Sequence, residues 1–222
     1  MVEVYILETD RLPDPKINPQ IMDGLSVERK EKILRFRREN DRRQSLGAGL
    51  LLKECLYRKG IDIKDVTFGR NGKPEVTGVF FNLSHSGNLA VCAISNKEVG
   101  CDVEKAGKVK GNIAKRFFSE EENRYLDRFE GDSKQEEFYR LWTMKESYLK
   151  MTGEGMSVRL DSFTFRIDDD VKLYRDNIQL PCYIKEYDIS GYKLTVCAME
   201  KEFVNNLEWI AFQREDDGGC YD

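Results

Sequence analysis

The 222-residue sequence predicts an α+β fold of two similar halves in one chain, a pseudo-dimer with its ligand site at the interface. Two observations carry this. Segments with the two-residue alternation of strands are interleaved with segments whose apolar residues recur at helical spacing. In addition, three stretches of the first half return in the same order in the second. Lys53-Glu54-Cys55-Leu56-Tyr57-Arg58-Lys59-Gly60 is echoed by Lys145-Glu146-Ser147-Tyr148-Leu149-Lys150-Met151-Thr152-Gly153, Thr67-Phe68 by Thr164-Phe165, and Leu89 to Ala93 by Leu194 to Ala198. The boundary falls between 98 and 99, giving an N-terminal half (1–98), a C-terminal half (99–214) and an acidic, glycine-containing tail (215–222) expected to be disordered.

In chain order, Met1 to Glu8 alternates and reads as a strand, followed by a polar, proline-containing loop from Asp10 to Pro19. Ser26 is placed to cap a helix running towards Arg38, and a second helical stretch follows Asn40 to about Arg58, where Gly60 ends it. Asp65 to Phe68 is a short strand and Gly69 to Pro74 a turn. Phe80 to Ser86 enters another strand, and Leu89 to Ile94 with Val99 to Glu104 reads as a hairpin. Ile113 to Phe117 and Ser119 to Phe129 are helical, the latter opening on the capping box of Ser119 and Glu122. Glu136 to Met151 carries Phe138, Leu141, Trp142 and Leu149 at helical spacing. Beyond Gly155 the strands are Ser162 to Ile167, Val171 to Tyr174, Cys182 to Tyr187 and Leu194 to Met199.

A net charge of −4, with 40% hydrophobic and 34% charged residues, describes a soluble, polar globular chain without the basic balance of a nucleic-acid binder. The N-terminus has no signal-peptide pattern, and no apolar run approaches the roughly 20 residues needed to span a bilayer. A cytoplasmic protein is expected, with neither membrane nor nucleic acid as partner. Six cysteines include no CxxC pair and His85 is the sole histidine, so ligand count and spacing argue against a zinc cluster. The cysteines read as small core residues.

The chemistry lies in a few constellations. On a strand, Asp102 and Glu104 share a face and Val103 takes the other. On a helix, Glu146 and Lys150 stand one turn apart on a shared face. Three carboxylates with no softer ligand suit Mg2+ or Mn2+, and a lysine beside them suits a phosphate. Read as structure alone, these are solvated charged pairs worth little. Asn82-Leu83-Ser84-His85-Ser86 offers hydroxyls and an imidazole for a phosphate. A Ser84–His85 catalytic pair is disfavoured, because adjacent strand positions point apart. Gly69 to Pro74 brings Lys73, and the helices between Val27 and Ser45 bring a basic run diluted by acids.

Taken in order, Gly72-Lys73-Pro74, Phe81 to Ser86, Gly100-Cys101-Asp102-Val103-Glu104-Lys105, Ala114 to Ser119 and Leu141-Trp142-Thr143-Met144-Lys145-Glu146-Ser147-Tyr148-Leu149-Lys150 resemble the Sfp-type 4′-phosphopantetheinyl transferases, the surfactin-synthetase-activating type. The resemblance covers most of the chain. It implies two α+β halves with coenzyme A between them. It also implies transfer of the 4′-phosphopantetheine arm to a serine of an apo acyl or peptidyl carrier protein in natural-product biosynthesis, releasing 3′,5′-ADP. By similarity, Asp102, Glu104 and Glu146 would hold Mg2+ against the pyrophosphate, and Asp102 would thereby also contact coenzyme A. Glu146 is the family's candidate for taking the serine proton, and Lys150 would bind the pyrophosphate and stabilise the leaving group. Ser84 and His85 would hold the 3′-phosphate. Lys73 and Pro74 would line the nucleotide end, with Arg29, Lys32 and Ser45 adding contacts. One position departs from the family: Gln44 stands where an Arg is common before Ser45-Leu46, leaving Arg42 and Arg43 as candidates for that contact. The rival classes are a metal-dependent phosphodiesterase or nuclease using the same carboxylates, and an RNA- or protein-binding module using the basic helices. Duplicated halves carry a complete site in one chain, so a monomer is expected.

Overall fold

Alternation along the first strand, β1 (Glu3–Glu8), sets the architecture in this computed structural model, which describes residues 1–69, 73–109 and 111–212, and only the backbone of Met156. Tyr5 and Leu7 face one core, Val4 and Ile6 another, so β1 is buried on both sides. Next come α1 (Val27–Arg35), α2 (Glu39–Arg58), a small hairpin β2 (Thr67–Phe68) and β3 (Pro74–Glu75), then β4 (Phe80–Ser86), β5 (Leu89–Ser95) and β6 (Val99–Lys105). Two short helices, α3 (Ile113–Phe117) and α4 (Glu120–Leu126), lead to the long α5 (Gly131–Thr152). The chain continues through β7 (Thr164–Ile167), β8 (Val171–Arg175), β9 (Ile178–Gln179), β10 (Tyr183–Ile189), β11 (Tyr192–Ala198) and β12 (Glu208–Trp209).

The two main sheets run β12-β1-β5-β4 and β6-β11-β10. Each joins its first strand antiparallel to its last long strand and carries the penultimate strand beyond it. A helix and a small hairpin come between first and later strands in both: α2 with β2–β3, and α5 with β7–β8. These are the segments whose sequences echo one another.

Three cores hold the layers together. Leu46, Leu51 and Leu56 of α2 pack against Tyr5, Leu7, Cys92 and Ile94. Val4, Ile6, Val91, Val99, Cys101, Val103, Leu194 and Val196 fill the space between the sheets. Leu141, Met144, Tyr148 and Met151 of α5 pack with Phe163, Phe165 and Cys197. Each fully buried aliphatic side chain contributes about 1.5–3 kcal/mol, so the inter-sheet core is the main glue between the two segments. Cys55, Cys92, Cys101 and Cys197 are buried free thiols. Among the described residues no helix is long and apolar enough to cross a membrane.

Local signals explain the boundaries. The Ser26 hydroxyl accepts from Arg29 N at the start of α1, and Ser119 with Glu122 closes both bonds of the capping box on α4. Gly153, at φ +71°, ends α5 in the left-handed conformation. α5 starts at Gly131, five residues before the expected Glu136, in a first turn whose residues carry no apolar rhythm to announce it. The segment after β11, placed in the C-terminal half by the sequence, returns to the first sheet. Val2 N donates to Glu202 O (2.6 Å), Val204 N to Val2 O (2.9 Å), and β12 pairs parallel to β1. The tail 215–222, Cys220 and the Arg70–Gly72 part of the expected turn lie outside the described residues.

Candidate active site

The site is set by how closely α5 lies on β6. A Cβ on Gly100 would sit 2.1 Å from Ser147 O and 2.3 Å from Met151 N, so only glycine lets helix and strand meet here. Two residues on, Asp102 keeps the same face, while Cys101 and Val103 turn into the inter-sheet core. The Lys150 ammonium donates to Asp102 Oδ1 at 2.6 Å and to Ser84 Oγ at 3.0 Å. Ser84 Oγ donates to Asp102 Oδ1 (2.9 Å) and accepts from Val103 N (3.2 Å). Its hydrogen-bonding capacity is thereby filled. Asp102 Oδ2 is buried with no hydrogen-bond partner.

Glu146 and Glu104 are half-buried beside this pair. Burial, then the Asp102 charge, raises the Glu146 pKa, with Lys150 offsetting part. Burial also raises that of Glu104, opposed by a hydrogen bond from Ser86 and raised again by Asp102. For Lys150, burial pulls the pKa down, but Asp102, Cys101 and Glu146 together outweigh it and the net shift is upward, so the ammonium stays charged. Three carboxylates thus share one field with one ammonium. Among the described residues no three His, Cys, Asp or Glu side chains are gathered closely enough to hold a metal ion, so the expected ligands Asp102, Glu104 and Glu146 do not form a closed cluster here.

Glu146 and Lys150 open onto a cleft of about 860 Å3 walled by Phe117, Trp142, Leu149 and Leu160, with Arg116 and Lys73 at its edges. Lys73 Nζ donates to Lys150 O (2.9 Å) and Met151 O (3.4 Å), satisfying carbonyls at the end of α5. A second pocket of about 260 Å3 brings Arg29, Lys32 and Pro74 together around Leu25, Leu52 and Leu83. Arg29 donates to Ser45 O (2.9 Å) and leaves Nε buried and unpartnered; Ser45 Oγ is likewise buried without a partner. Burial lowers the pKa values of Arg29 and Lys32, with Arg29 adding to the effect on Lys32. His85, itself exposed, lies on the face of β4 opposite to Ser84, beyond Phe81 and Leu83, which pack into the first core. Its pKa is lowered by displaced water and then by Lys150, Arg29 and Lys32, which marks a positive field open to an anion.

The arrangement differs from the sequence reading in identifiable places. Ser84, expected on a phosphate, is buried and spends its hydroxyl on Asp102, Lys150 and β6. Arg42 cannot replace the arginine missing at Gln44. It is buried in a two-pronged pair with Asp14 and donates to Phe36 O and Arg37 O, tying the α1–α2 junction. Arg43 pairs with Glu39 (2.6 Å). Gln44 itself donates to Gly87 O (2.7 Å). Sequence reasoning missed the fully buried Lys145–Glu122 pair (2.8 Å), in which Lys145 also donates to Leu160 O and Phe163 O. The available signal was spacing: Lys145 follows Leu141 by four, on the apolar face of the helix.

Comparison with known proteins agrees along most of the chain. Residues 98–197 match the model of the 4′-phosphopantetheinyl transferase superfamily, and residues 13–97 that of a 4′-phosphopantetheinyl transferase N-terminal region. The sequence is 34% identical over 221 residues to 4′-phosphopantetheinyl transferase Sfp of Bacillus subtilis (strain 168), covering 96% of this chain and 99% of that one. It is 31% identical over 211 residues to the transferase gsp of Aneurinibacillus migulanus, covering 92% and 89%. It is 33% identical over 162 residues to the transferase HetI of Nostoc sp. (strain PCC 7120 / SAG 25.82 / UTEX 2576), covering 66% and 68%.

Proposed function

The chain belongs to the Sfp-type 4′-phosphopantetheinyl transferases, and from that membership we propose that it moves the 4′-phosphopantetheine arm of coenzyme A onto a serine hydroxyl of an apo acyl or peptidyl carrier protein, releasing 3′,5′-ADP. The observation that carries the reading is the junction of Asp102, Glu146 and Lys150 at the mouth of the large cleft. Lys150, held charged, binds the pyrophosphate and stabilises the leaving phosphate. Glu146, at the mouth of the same cleft, takes the serine proton, directly or through a water. The smaller pocket takes the nucleotide between Arg29, Lys32 and Pro74, with the unpartnered Ser45 Oγ behind it, and Lys73 closes the nucleotide end of the cleft. The positive field around His85 suits the 3′-phosphate. Ser84 contributes by fixing Asp102 and Lys150.

A divalent cation fits the donor set. Asp102 Oδ2 is buried and unpartnered, Glu104 and Glu146 are both disfavoured as anions, and all donors are hard oxygens, which select Mg2+ or Mn2+. Bound by Asp102, Glu104 and Glu146, it would offset the negative charge of the pyrophosphate. All of these residues come from one chain, which supports a monomer, and we place its activity in the cytoplasm.

Intact-mass spectrometry of apo acyl and peptidyl carrier proteins, incubated with this protein, coenzyme A and Mg2+, tests the reading. A gain of one phosphopantetheine, abolished by chelator, is expected. Absence of that gain on every carrier supplied, under conditions where a known transferase modifies them, would overturn it.

A further inference from the structure

We propose that Ser86 is a positioning residue for Glu104, one of two hydroxyls on β4 that aim the site's carboxylates. The inference rests on the cation reading of Asp102, Glu104 and Glu146 given above.

β4 and β6 are neighbours at the seam between the two sheets, yet neither pairs with the other as a strand: β4 bonds to β5, and β6 to β11. Side chains bridge the gap instead. Every second residue of β4 meets every second N–H of β6. Asn82 Oδ1 accepts from Cys101 N (3.1 Å), Ser84 Oγ from Val103 N (3.2 Å) and Ser86 Oγ from Lys105 N (3.2 Å). Both serines then pass their hydroxyl hydrogen to a carboxylate. Ser84 donates to Asp102 at 2.9 Å, and Ser86 to Glu104 Oε2 at 2.6 Å. The device is the same twice: one hydroxyl grips a backbone N–H and the side chain of the residue before it. The carboxylate is thereby fixed relative to its own strand.

The two differ in one respect. Asp102 also has Lys150, whereas Ser86 is the hydrogen-bond donor to Glu104 among the described residues, leaving Oε1 for a ligand. Ser86 is itself anchored. The carbonyl of Gly87 accepts from Gln44 (2.7 Å) and Asn40 (3.3 Å), and Asn88 N donates to Tyr192 Oη (3.0 Å). Gly87 has φ +57°, and a Cβ there would lie 2.5 Å from Tyr192 Oη, so the turn is clamped between α2 and β11. Gln44, which departs from the family's usual arginine, thus acts on the turn that carries Ser86. Groups that orient a metal-ligating carboxylate commonly change metal affinity about 10–100-fold when removed.

The test is a Mn2+ titration followed by the electron paramagnetic resonance signal of free Mn2+, on the full-length protein with coenzyme A and no carrier protein. Ser86→Ala is expected to weaken Mn2+ binding by about 10-fold with an unchanged thermal midpoint, and Ser86→Thr to restore most of it. Should Ser86→Ala fail to fold, Ser86→Cys keeps the volume, loses most of the donor strength and carries the same comparison. A hydroxyl-free variant that binds Mn2+ as the wild type does would overturn the role of Ser86 while leaving the cation reading in place. Wild-type protein that takes up no Mn2+ would overturn the cation reading and this inference with it.

Discussion

Lys73 and Lys150 are joined side chain to main chain: the Lys73 ammonium donates to the Lys150 carbonyl over 2.9 Å, while the Lys150 ammonium donates to Asp102 over 2.6 Å. A cation from the loop before β3 therefore sits on the last turn of α5, the turn on which the site's own cation rides. Positive charge at a helix C-terminus is favourable, and here it also holds in place the backbone that presents Lys150.

Replacing Glu146 by Gln should separate chemistry from fold. Burial and Asp102 both disfavour the Glu146 anion, so a neutral amide of the same size costs no stability. Turnover is expected to fall about 10²–10⁴-fold, the usual contribution of a positioned base, with the thermal midpoint unchanged. Near-normal turnover would remove Glu146 from the mechanism.

Gly100→Ala should act through geometry. The added Cβ meets backbone of α5 at 2.1 Å and 2.3 Å, and backbone cannot swing aside as a side chain can. A loss of about 1–3 kcal/mol is expected, with weakened coenzyme A binding as α5 lifts Lys150 from Asp102. Chemical denaturation with a parallel binding titration would reveal both; unchanged values would mean that helix and strand do not approach this closely.

The Lys145–Glu122 pair makes a thermodynamic prediction. Both side chains are fully buried, and Glu122 also accepts from Phe165 N and Ser119 N. Lys145→Met strands a buried carboxylate and should cost about 3–5 kcal/mol in urea unfolding. Combining it with Glu122→Leu should recover a large part of the loss. If the double variant were no more stable than Lys145→Met alone, the penalty would have another origin.

Asp14 predicts acid sensitivity. Its hydrogen bonds with Arg42 hold its pKa down to about 2, below the aspartate value of about 3.9 in an unfolded chain. A depressed pKa means the unfolded state binds the proton first. The stabilisation is complete above about pH 4 and is lost as pH falls towards 2. The gap in thermal midpoint between wild type and Asp14→Asn should therefore be widest near neutrality and shrink over that window. A gap independent of pH would show that the pair is not stabilised as ions.

Local physics was legible in the sequence, and long-range geometry was not. Ser26, the Ser119–Glu122 box and Gly60 marked helix ends because capping is decided within a few residues. Alternation correctly put Val103 in the core and Asp102 on the opposite face. The side-chain bridge between β4 and β6 was hidden, since serines facing another strand look like serines facing water. The partner of Lys145 was hidden for the same reason: Glu122 Oε2 takes both the cap N–H of Ser119 and the Lys145 ammonium, and the sequence announces only the first. Two-residue β12 carries too little pattern to announce a partner some 200 residues earlier.

That last strand bears on the order in which the molecule can assemble. β1 precedes β12 by about two hundred residues, yet one of its edges is closed by Glu208–Trp209, and Val2 by residues near 203. Emerging from the ribosome, the first sheet would present an unpaired border until Glu208–Trp209 had been synthesised. Pairing over such a separation is slow, and open borders invite association with other chains. Shortening the protein before residue 209 would thus be felt most at β1.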